Sequence, residues 1–297
     1  MRALITGAEG FTGRYMAAEL KATGHEVHAL MRDEVTLESA NCVHQADLND
    51  VAHLESVLAA IKPDWVVHLA GISFVPHADV EQIYRTNIVG TRNLLQALCG
   101  LPVRPASVLL ASSANVYGGN PGQAIDESAL LLPANDYAIS KFAMEHVARL
   151  YAARLPIVVT RPFNYTGVAQ SESFLVPKIM GHFRRRDARI ELGNLDVFRD
   201  FLDVRVLVAY YRRLLESSAA PGQTVNVCSG RLWSLREIIA MAQDVSGHEI
   251  KVDVNPAFVR DDEIKTLLGN PALLHSLVGC VPSIEFRDTL RWMFERG

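Results

Sequence analysis

Arg2-Ala3-Leu4-Ile5-Thr6-Gly7-Ala8-Glu9-Gly10-Phe11-Thr12-Gly13 decides the fold. Residues 2–5 read as a short apolar strand, and Phe11–Ala22 as an amphipathic helix that stops at Gly24. Between them Gly7, Gly10 and Gly13 keep the spacing GxxGxxG. Small residues there let a backbone approach a pyrophosphate at a helix N-terminus, where free N–H groups and the helix dipole favour anions. An ordinary strand–helix turn can also be glycine-rich. The position after the first strand and before an amphipathic helix favours a dinucleotide turn, with Gly7, Gly10, Phe11, Thr12 and Gly13 as cofactor contacts.

Outward from this turn the rhythm repeats. Strands are expected at 27–31, 42–46, 64–69, 107–111 and 157–160. Helices are expected from Asn49 or Asp50 to about 61, over 80–98, and from Asp136 onward. Strands alternating with helices give a doubly wound parallel sheet of the α/β class. The continuous apolar run Val108-Leu109-Leu110-Ala111 fits a sheet covered on both faces. After Pro162 the pattern changes to turns and short strands. A helix is expected over 174–186, strands near Arg189–Leu192, a strand at 200–204 feeding a helix to 215, and a strand at 225–228. Ser234 and Glu237 form a capping box opening a helix to 246, and 283–295 reads as a terminal helix. The expected organisation is a dinucleotide-binding domain over 1–162, with 199–228 returning to it. Residues 163–198 and 229–297 form a smaller C-terminal α/β substrate lobe.

The totals narrow the function class. The chain of 297 residues is 49% apolar and carries a net charge of −4, which speaks against a nucleic-acid binder. The run Arg184-Arg185-Arg186 reads as a solvated helix face. Cys42, Cys99, Cys228 and Cys280 form no CxxC pair, and the ten histidines show no metal-ligand spacing. Neither disulfides nor a metal are expected. No apolar run approaches the roughly 20 residues that span a bilayer. The expectation is a soluble, cytoplasmic protein with no nucleic-acid or membrane partner.

The chemistry centres on Tyr137-Ala138-Ile139-Ser140-Lys141, with Ser113 upstream. Positions i and i+4 share a helix face, so an ammonium can sit near the phenol and lower its pKa from about 10. Such a phenol can transfer protons near neutral pH. For the cofactor, Arg32 at the end of the second strand can clamp a 2′-phosphate, which favours NADP(H) with NAD(H) as the alternative. Asp47-Leu48 either meets the adenine or starts a helix. His68-Leu69-Ala70-Gly71 ends the fourth strand with small residues, where the backbone of Leu69, Ala70 and Gly71 can pass the cofactor, and Asn87 is counted with the cofactor contacts, as either a bridging amide or a tolerated polar residue.

Assembled, the chain resembles the extended short-chain dehydrogenase/reductases, the NAD-dependent epimerase/dehydratase family. The residues that carry the resemblance are Gly7-x-x-Gly10-x-x-Gly13, Asp47-Leu48, His68-Leu69-Ala70-Gly71, Ser113, Val116-Tyr117-Gly118, Tyr137-x-x-x-Lys141 and Arg161-Pro162-Phe163-Asn164. Gly193-Asn194-Leu195-Asp196, Arg199-Asp200-Phe201-Leu202-Asp203-Val204 and Arg260-x-x-Glu263 look like its GDP-mannose branch, which holds 4,6-dehydratases and 4-keto-6-deoxy-sugar reductases. Phe74-Val75-Pro76 and Asn226-Val227-Cys228 look most like the reductases, while Tyr165 and Val168-Ala169 depart from the His and Pro-Gly of that branch.

The resemblance implies a Rossmann domain and a catalytic Ser113, Tyr137 and Lys141, the last two also touching the cofactor, as Pro162 does. It implies a homodimer built through the 80–98 and Tyr137 helices. The implied substrate is a GDP-linked nucleotide sugar, met by Asn164, Lys178, Gly193, Asn194, Arg199, Arg260 and Glu263, bordered by Phe74 and Val75, and fixed at its carbonyl by Ser113. Dehydratases of the family carry one or two carboxylates just after the catalytic hydroxyl; here Ala114 and Asn115 follow Ser113. The cysteine that GDP-fucose synthases use for epimerisation is Ala114 here. The leading expectation is therefore NADPH-dependent reduction of a C4 ketone, GDP-4-keto-6-deoxy-D-mannose to GDP-D-rhamnose. A nucleotide-sugar 4-epimerase holding NAD and a GDP-mannose 4,6-dehydratase remain as alternatives. A non-catalytic NADP-binding sensor is a third class, and the presence of both Tyr137 and Lys141 weighs against it.

Overall fold

The computed structural model describes residues 1–33, 36–73, 79–118, 123–258 and 264–297. The chain opens with β1 (Arg2–Thr6), α1 (Phe11–Ala22), β2 (Glu26–Met31), β3 (Cys42–Gln45), α2 (Val51–Ile61) and β4 (Trp65–His68). Asp50 caps α2 by accepting the His53 N–H at 3.1 Å. One long helical rod follows. It comprises α3 (Val80–Tyr84), a π-helical stretch Arg85–Gly90 and α4 (Thr91–Gly100). Then come β5 (Ser107–Ala111), a 3₁₀ turn Ala114–Tyr117, α5 (Asp136–Arg149) and β6 (Ile157–Pro162).

The large sheet has seven parallel strands in the order β10-β6-β5-β4-β1-β2-β3, with β10 at Thr224–Val227. Strand alternation splits its core in two. Ala3 and Ile5 pack with Met16 and Leu20 of α1 and with Leu207 and Tyr211. Leu4 packs on the other face with Leu54 and Leu58 of α2, Leu94 of α4 and Met144 of α5. The chain runs outward from β1 to β2 and β3, then returns past β1 to β4, β5 and β6. This places a topological switch point at the carboxyl ends of β1 and β4, where such sheets bind ligands.

The small lobe is built from β7 (Asn164–Thr166), α6 (Leu175–Arg184), β8 (Arg189–Leu192) and β9 (Phe198–Asp203). After α7 (Val204–Glu216) and β10 the chain adds β11 (Leu232–Ser234), α8 (Leu235–Ser246) and β12 (Lys251–Val254). It ends with β13 (Thr266–Leu267), α9 (Ala272–Val278) and α10 (Phe286–Arg296). The Ser234–Glu237 capping box forms as expected. α6, α8 and α10 enclose their own apolar core, with Phe183, Ile238 and Leu290 at its centre.

One boundary is corrected. The return to the large sheet does not begin at 199. β9 pairs with β11, β13 and β7, because its register matches those strands and its Phe201 joins the small-lobe core. The return begins at α7, which packs on α1, and β10 follows. Among the described residues no helix is long and apolar enough to cross a membrane.

Candidate active site

Gly7 has φ +69°, and a Cβ there would lie 2.7 Å from the backbone of Ala70. A Cβ on Gly13 would collide with the Gly7 carbonyl. The turn is therefore pressed between the start of α1 and the end of β4, where Leu69 donates its N–H to the Thr6 carbonyl at 3.1 Å. Gly10 caps α1 without a side-chain bond, so the first N–H groups of the helix face outward, as an anionic pyrophosphate requires. The cradle fits a dinucleotide. Phe11 stacks on Tyr165 of β7 at 6.1 Å, and the hydroxyls of Thr12 and Tyr165 bond at 2.8 Å, tying this turn to the small lobe.

Tyr137 and Lys141 lie on α5, capped by Asn135, which accepts the Ala138 N–H at 2.9 Å. Ser113 stands beside the Tyr137 phenol and acts on it against the rise that burial causes, while its Oγ accepts the Asn115 N–H at 3.2 Å. Lys141 is 7% exposed and donates from Nζ to the Ala111 carbonyl at 2.8 Å. Its ammonium also stands 3.3 Å from where a Cβ on Gly71 would be, and Asn87 Oδ1 3.0 Å from it, so a larger residue there would crowd both. The three expected catalytic residues thus converge at the ends of β4 and β5.

The electrostatics correct one expectation. Lys141 does not pull the Tyr137 phenol down. Burial pushes it up to about 12, Tyr165 adds to the rise, and only Ser113 acts the other way. The reason is geometric, since Nζ is aimed at the Ala111 carbonyl. Burial brings the Lys141 ammonium down to about 8, against the pull of Glu145.

Asn87 is a bridging amide. Its Oδ1 accepts the Ile72 N–H at 2.8 Å, and its Nδ2 donates to the Ile72 carbonyl at 3.1 Å and to Ser140 Oγ at 2.9 Å. It clamps the segment after β4 against the catalytic helix. His68 sits beneath. Thr91 donates to the Asn87 carbonyl and so must accept from His68 Nε2 at 2.8 Å, which leaves Nδ1 to accept from Thr6 at 2.7 Å. Burial, then the nearby Lys141 charge, lower His68 to about 3 and keep it neutral.

Sequence reasoning gave no role to Glu145, Arg161, Tyr117 or Asn226. Glu145 accepts from Ser112 Oγ at 2.5 Å and from Arg161 at 2.9 and 2.6 Å, and Arg161 donates to the Tyr117 hydroxyl at 2.9 Å. The signal available was Glu145 itself, four residues past Lys141.

The remaining candidates are spread along the cleft. Arg32 is exposed and lies 3.5 Å from Asp33. Asp47 accepts the Asn49 N–H at 2.8 Å, a turn-forming bond, and the Leu48 carbonyl accepts from Asn93 at 2.9 Å. Pro162 ends β6 beside Val227. Asn164 Nδ2 donates to the Asp200 carbonyl at 3.2 Å. Lys178 donates to the Glu191 carbonyl at 2.9 Å and lies 4.6 Å over the Phe258 ring, while the Phe258 carbonyl leaves no room for a Cβ on Gly193. Asn194 accepts the Asp196 N–H at 2.9 Å. Arg199 donates to the Phe198 and Lys265 carbonyls at 3.0 and 3.2 Å. Phe74, Val75, Arg260 and Glu263 lie outside the described residues.

With the geometry in place, comparison supplies the family. Residues 4–293 match the family model described as GDP-mannose 4,6 dehydratase. The chain belongs to that family. It is 35% identical over 279 residues to a GDP-6-deoxy-D-talose 4-dehydrogenase of Aggregatibacter actinomycetemcomitans, covering 94% of this chain and 92% of the relative. It is 34% identical over 301 residues to a GDP-6-deoxy-D-mannose reductase of Pseudomonas aeruginosa, covering 98% and 95%. The structure of Pseudomonas aeruginosa RMD complexed with NADPH superposes with a TM-score of 0.88 at 31% identity, covering 99% of this chain and 98% of that one. The protein is thus an extended short-chain dehydrogenase/reductase, a Rossmann-type oxidoreductase of the nucleotide-sugar class.

Proposed function

We propose that this protein reduces the C4 ketone of a GDP-linked 4-keto-6-deoxy sugar, converting GDP-4-keto-6-deoxy-D-mannose to GDP-D-rhamnose. The observation that carries the reading is Tyr137, a buried, protonated phenol beside Ser113, with Ala114 and Asn115 where a dehydratase needs a carboxylate. Reduction needs an acid at the carbonyl oxygen, and a phenol raised to about 12 is fully protonated at neutral pH.

Ser113 orients the carbonyl by a hydrogen bond, and Tyr137 gives it a proton as charge develops there. Lys141 presents its ammonium beside Gly71, where a ribose hydroxyl would lie. Gly7, Gly10, Phe11, Thr12 and Gly13 hold the pyrophosphate of NADP(H), which supplies the hydride when bound. Arg32 favours the 2′-phosphate over NAD(H). Asn164, Lys178, Gly193, Asn194 and Arg199 line the substrate side. We assign the working protein to the cytoplasm as a homodimer joined through the Val80–Gly100 rod and α5.

A second reading is supported by the 35% identical talose dehydrogenase. Talose and mannose differ only in configuration at C4, so the same ketone reduced on its other face gives GDP-6-deoxy-D-talose. Incubation with NADPH or NADH and GDP-4-keto-6-deoxy-D-mannose, followed by absorbance and NMR of the product, tests both. Oxidation of NADPH with the rhamno product is expected. The talo product moves the protein to the second reading, and no oxidation with either cofactor overturns the function.

A further inference from the structure

The catalytic stripe on α5 does not end at Lys141. Residues 137, 141 and 145 share one helix face, and three consecutive residues leaving β5 meet them. Ser113 stands beside Tyr137, the Ala111 carbonyl accepts from Lys141, and Ser112 donates to Glu145. Glu145 is 2% exposed and Arg161 is 3% exposed, and they pair through two parallel bonds. Arg161 continues the chain to Tyr117, whose hydroxyl donates to Asn226 Oδ1 at 2.7 Å, and Asn226 Nδ2 ends it on the Ile125 carbonyl at 2.9 Å. A buried ion pair is not by itself a stabilising device, because apolar replacements of similar volume commonly match or exceed it. Stability alone does not account for a buried charge pair joined to Ser112, the residue next to Ser113, one helical turn past Lys141.

We propose that Glu145, held by Arg161, is a positioning residue for this reaction: it keeps Lys141 charged inside the dry site and fixes the end of β5 so that Ser113 faces Tyr137. The charged and titratable surroundings are consistent with this role. On β4, His68 is neutral. On β6, Arg161 is committed to Glu145. Tyr137 on α5, Tyr165 on β7 and Tyr211 on α7 are phenols whose burial keeps them protonated. Glu127 bonds the Asn226 N–H, beyond Tyr117. Among the described residues Glu145 is the anion that acts on the Lys141 ammonium, and it opposes the loss of charge that burial favours.

The proposal rests on the reductase reading only where turnover is measured, so its first test uses no substrate. The chain has six lysines, few enough to resolve by NMR of protein labelled at the lysine ε-carbon. The Lys141 signal is the one lost in Lys141→Arg. In Glu145→Gln its titration midpoint is expected to fall by about 1–3 pH units, the effect of removing a close opposite charge. Glu145→Asp, which keeps the charge, should hold the midpoint near that of the wild type. Glu145→Gln leaves Arg161 buried and unpaired and can fail to fold. The double variant Glu145→Gln/Arg161→Gln removes both charges and should show a smaller fall in the same direction, because no unpaired guanidinium is left behind. A folded variant without Glu145 whose Lys141 titrates as in the wild type overturns the proposal.

In turnover, the alkaline limb of kcat/KM should move down with the NMR midpoint. A uniform loss of kcat with an unmoved limb would make Glu145 merely structural and also overturn it. If the wild type does not reduce the 4-keto sugar nucleotide, the functional reading fails, and the NMR titration still decides the role of Glu145.

Discussion

At the carboxyl ends of β4, β5 and β6, polar side chains bond one another. Thr6, His68 and Thr91 form one chain, Asn87 and Ser140 another, and Ser112, Glu145, Arg161, Tyr117 and Asn226 a third. Across the cleft, the small-lobe candidates bond backbone. Lys178 reaches the Glu191 carbonyl, Asn164 the Asp200 carbonyl, and Arg199 the carbonyls of Phe198 and Lys265. A buried side-chain network has one low-energy arrangement, since breaking it leaves polar groups unsatisfied. A half-buried lysine resting on a carbonyl, as Lys178 does, can exchange that partner for a phosphate at little cost. The comparison describes a prebuilt wall for proton and hydride transfer facing a wall that adapts to the nucleotide sugar.

The strongest way to break the comparison is on the prebuilt wall. Tyr137→Phe should lower kcat by about 10²–10⁴ while the dissociation constant for NADPH, followed by fluorescence, stays within a few-fold of wild type. Near-normal turnover would remove Tyr137 as the acid. Next in size is Gly13→Ala. Its Cβ meets the Gly7 carbonyl, and overpacking of this kind costs about 1–3 kcal/mol. Calorimetry should show a lower Tm, with dinucleotide affinity weakened by about tenfold or more.

On the adaptable wall, effects should be smaller and fall on binding alone. Lys178→Ala is expected to raise KM for the sugar nucleotide roughly tenfold with kcat unchanged, the loss of one charge-assisted contact. A fall in kcat instead would place Lys178 in the prebuilt wall. The smallest effect is predicted for Ala169, which sits at φ +66° where glycine is favoured. Ala169→Gly should raise stability by up to about 1 kcal/mol, seen as a small increase in Tm without a change in KM.

Legibility in the sequence divides along the same line. The inner strands of the large sheet were readable, because burial on both faces leaves continuous apolar runs such as Val108-Leu109-Leu110, whereas the edge strand β3 is largely exposed and gave a weaker signal. The helix Leu235–Ser246 was readable from its capping box. The small-lobe strands β7, β11 and β13 run three residues or fewer, too short for any periodicity to register. The proximity of Tyr137, Lys141 and Ser113 followed from helix spacing and family likeness. The direction of the Lys141 side chain did not. It depends on the Ala111 carbonyl, which no sequence pattern reports. Asn87 could not be resolved as a bridge until Ile72 and Ser140 were seen on either side of it. Glu145 was within reach as the next residue on the stripe, but its partner Arg161 comes from a different strand.

The order of strands has a consequence during synthesis. β6 lies inside the finished sheet, between β5 and β10, yet β7, α6, β8, β9 and α7 must all leave the ribosome before β10 exists. Until then the edge Val159-Thr160-Arg161-Pro162 that β10 will cover is open, blunted only by Arg161 and Pro162 at its end, the kind of surface on which strands of other chains add. A chain released before Thr224 would therefore be a seed for aggregation, and the small lobe, threaded through the middle of the sequence, acts as a timer on when the large sheet is safe.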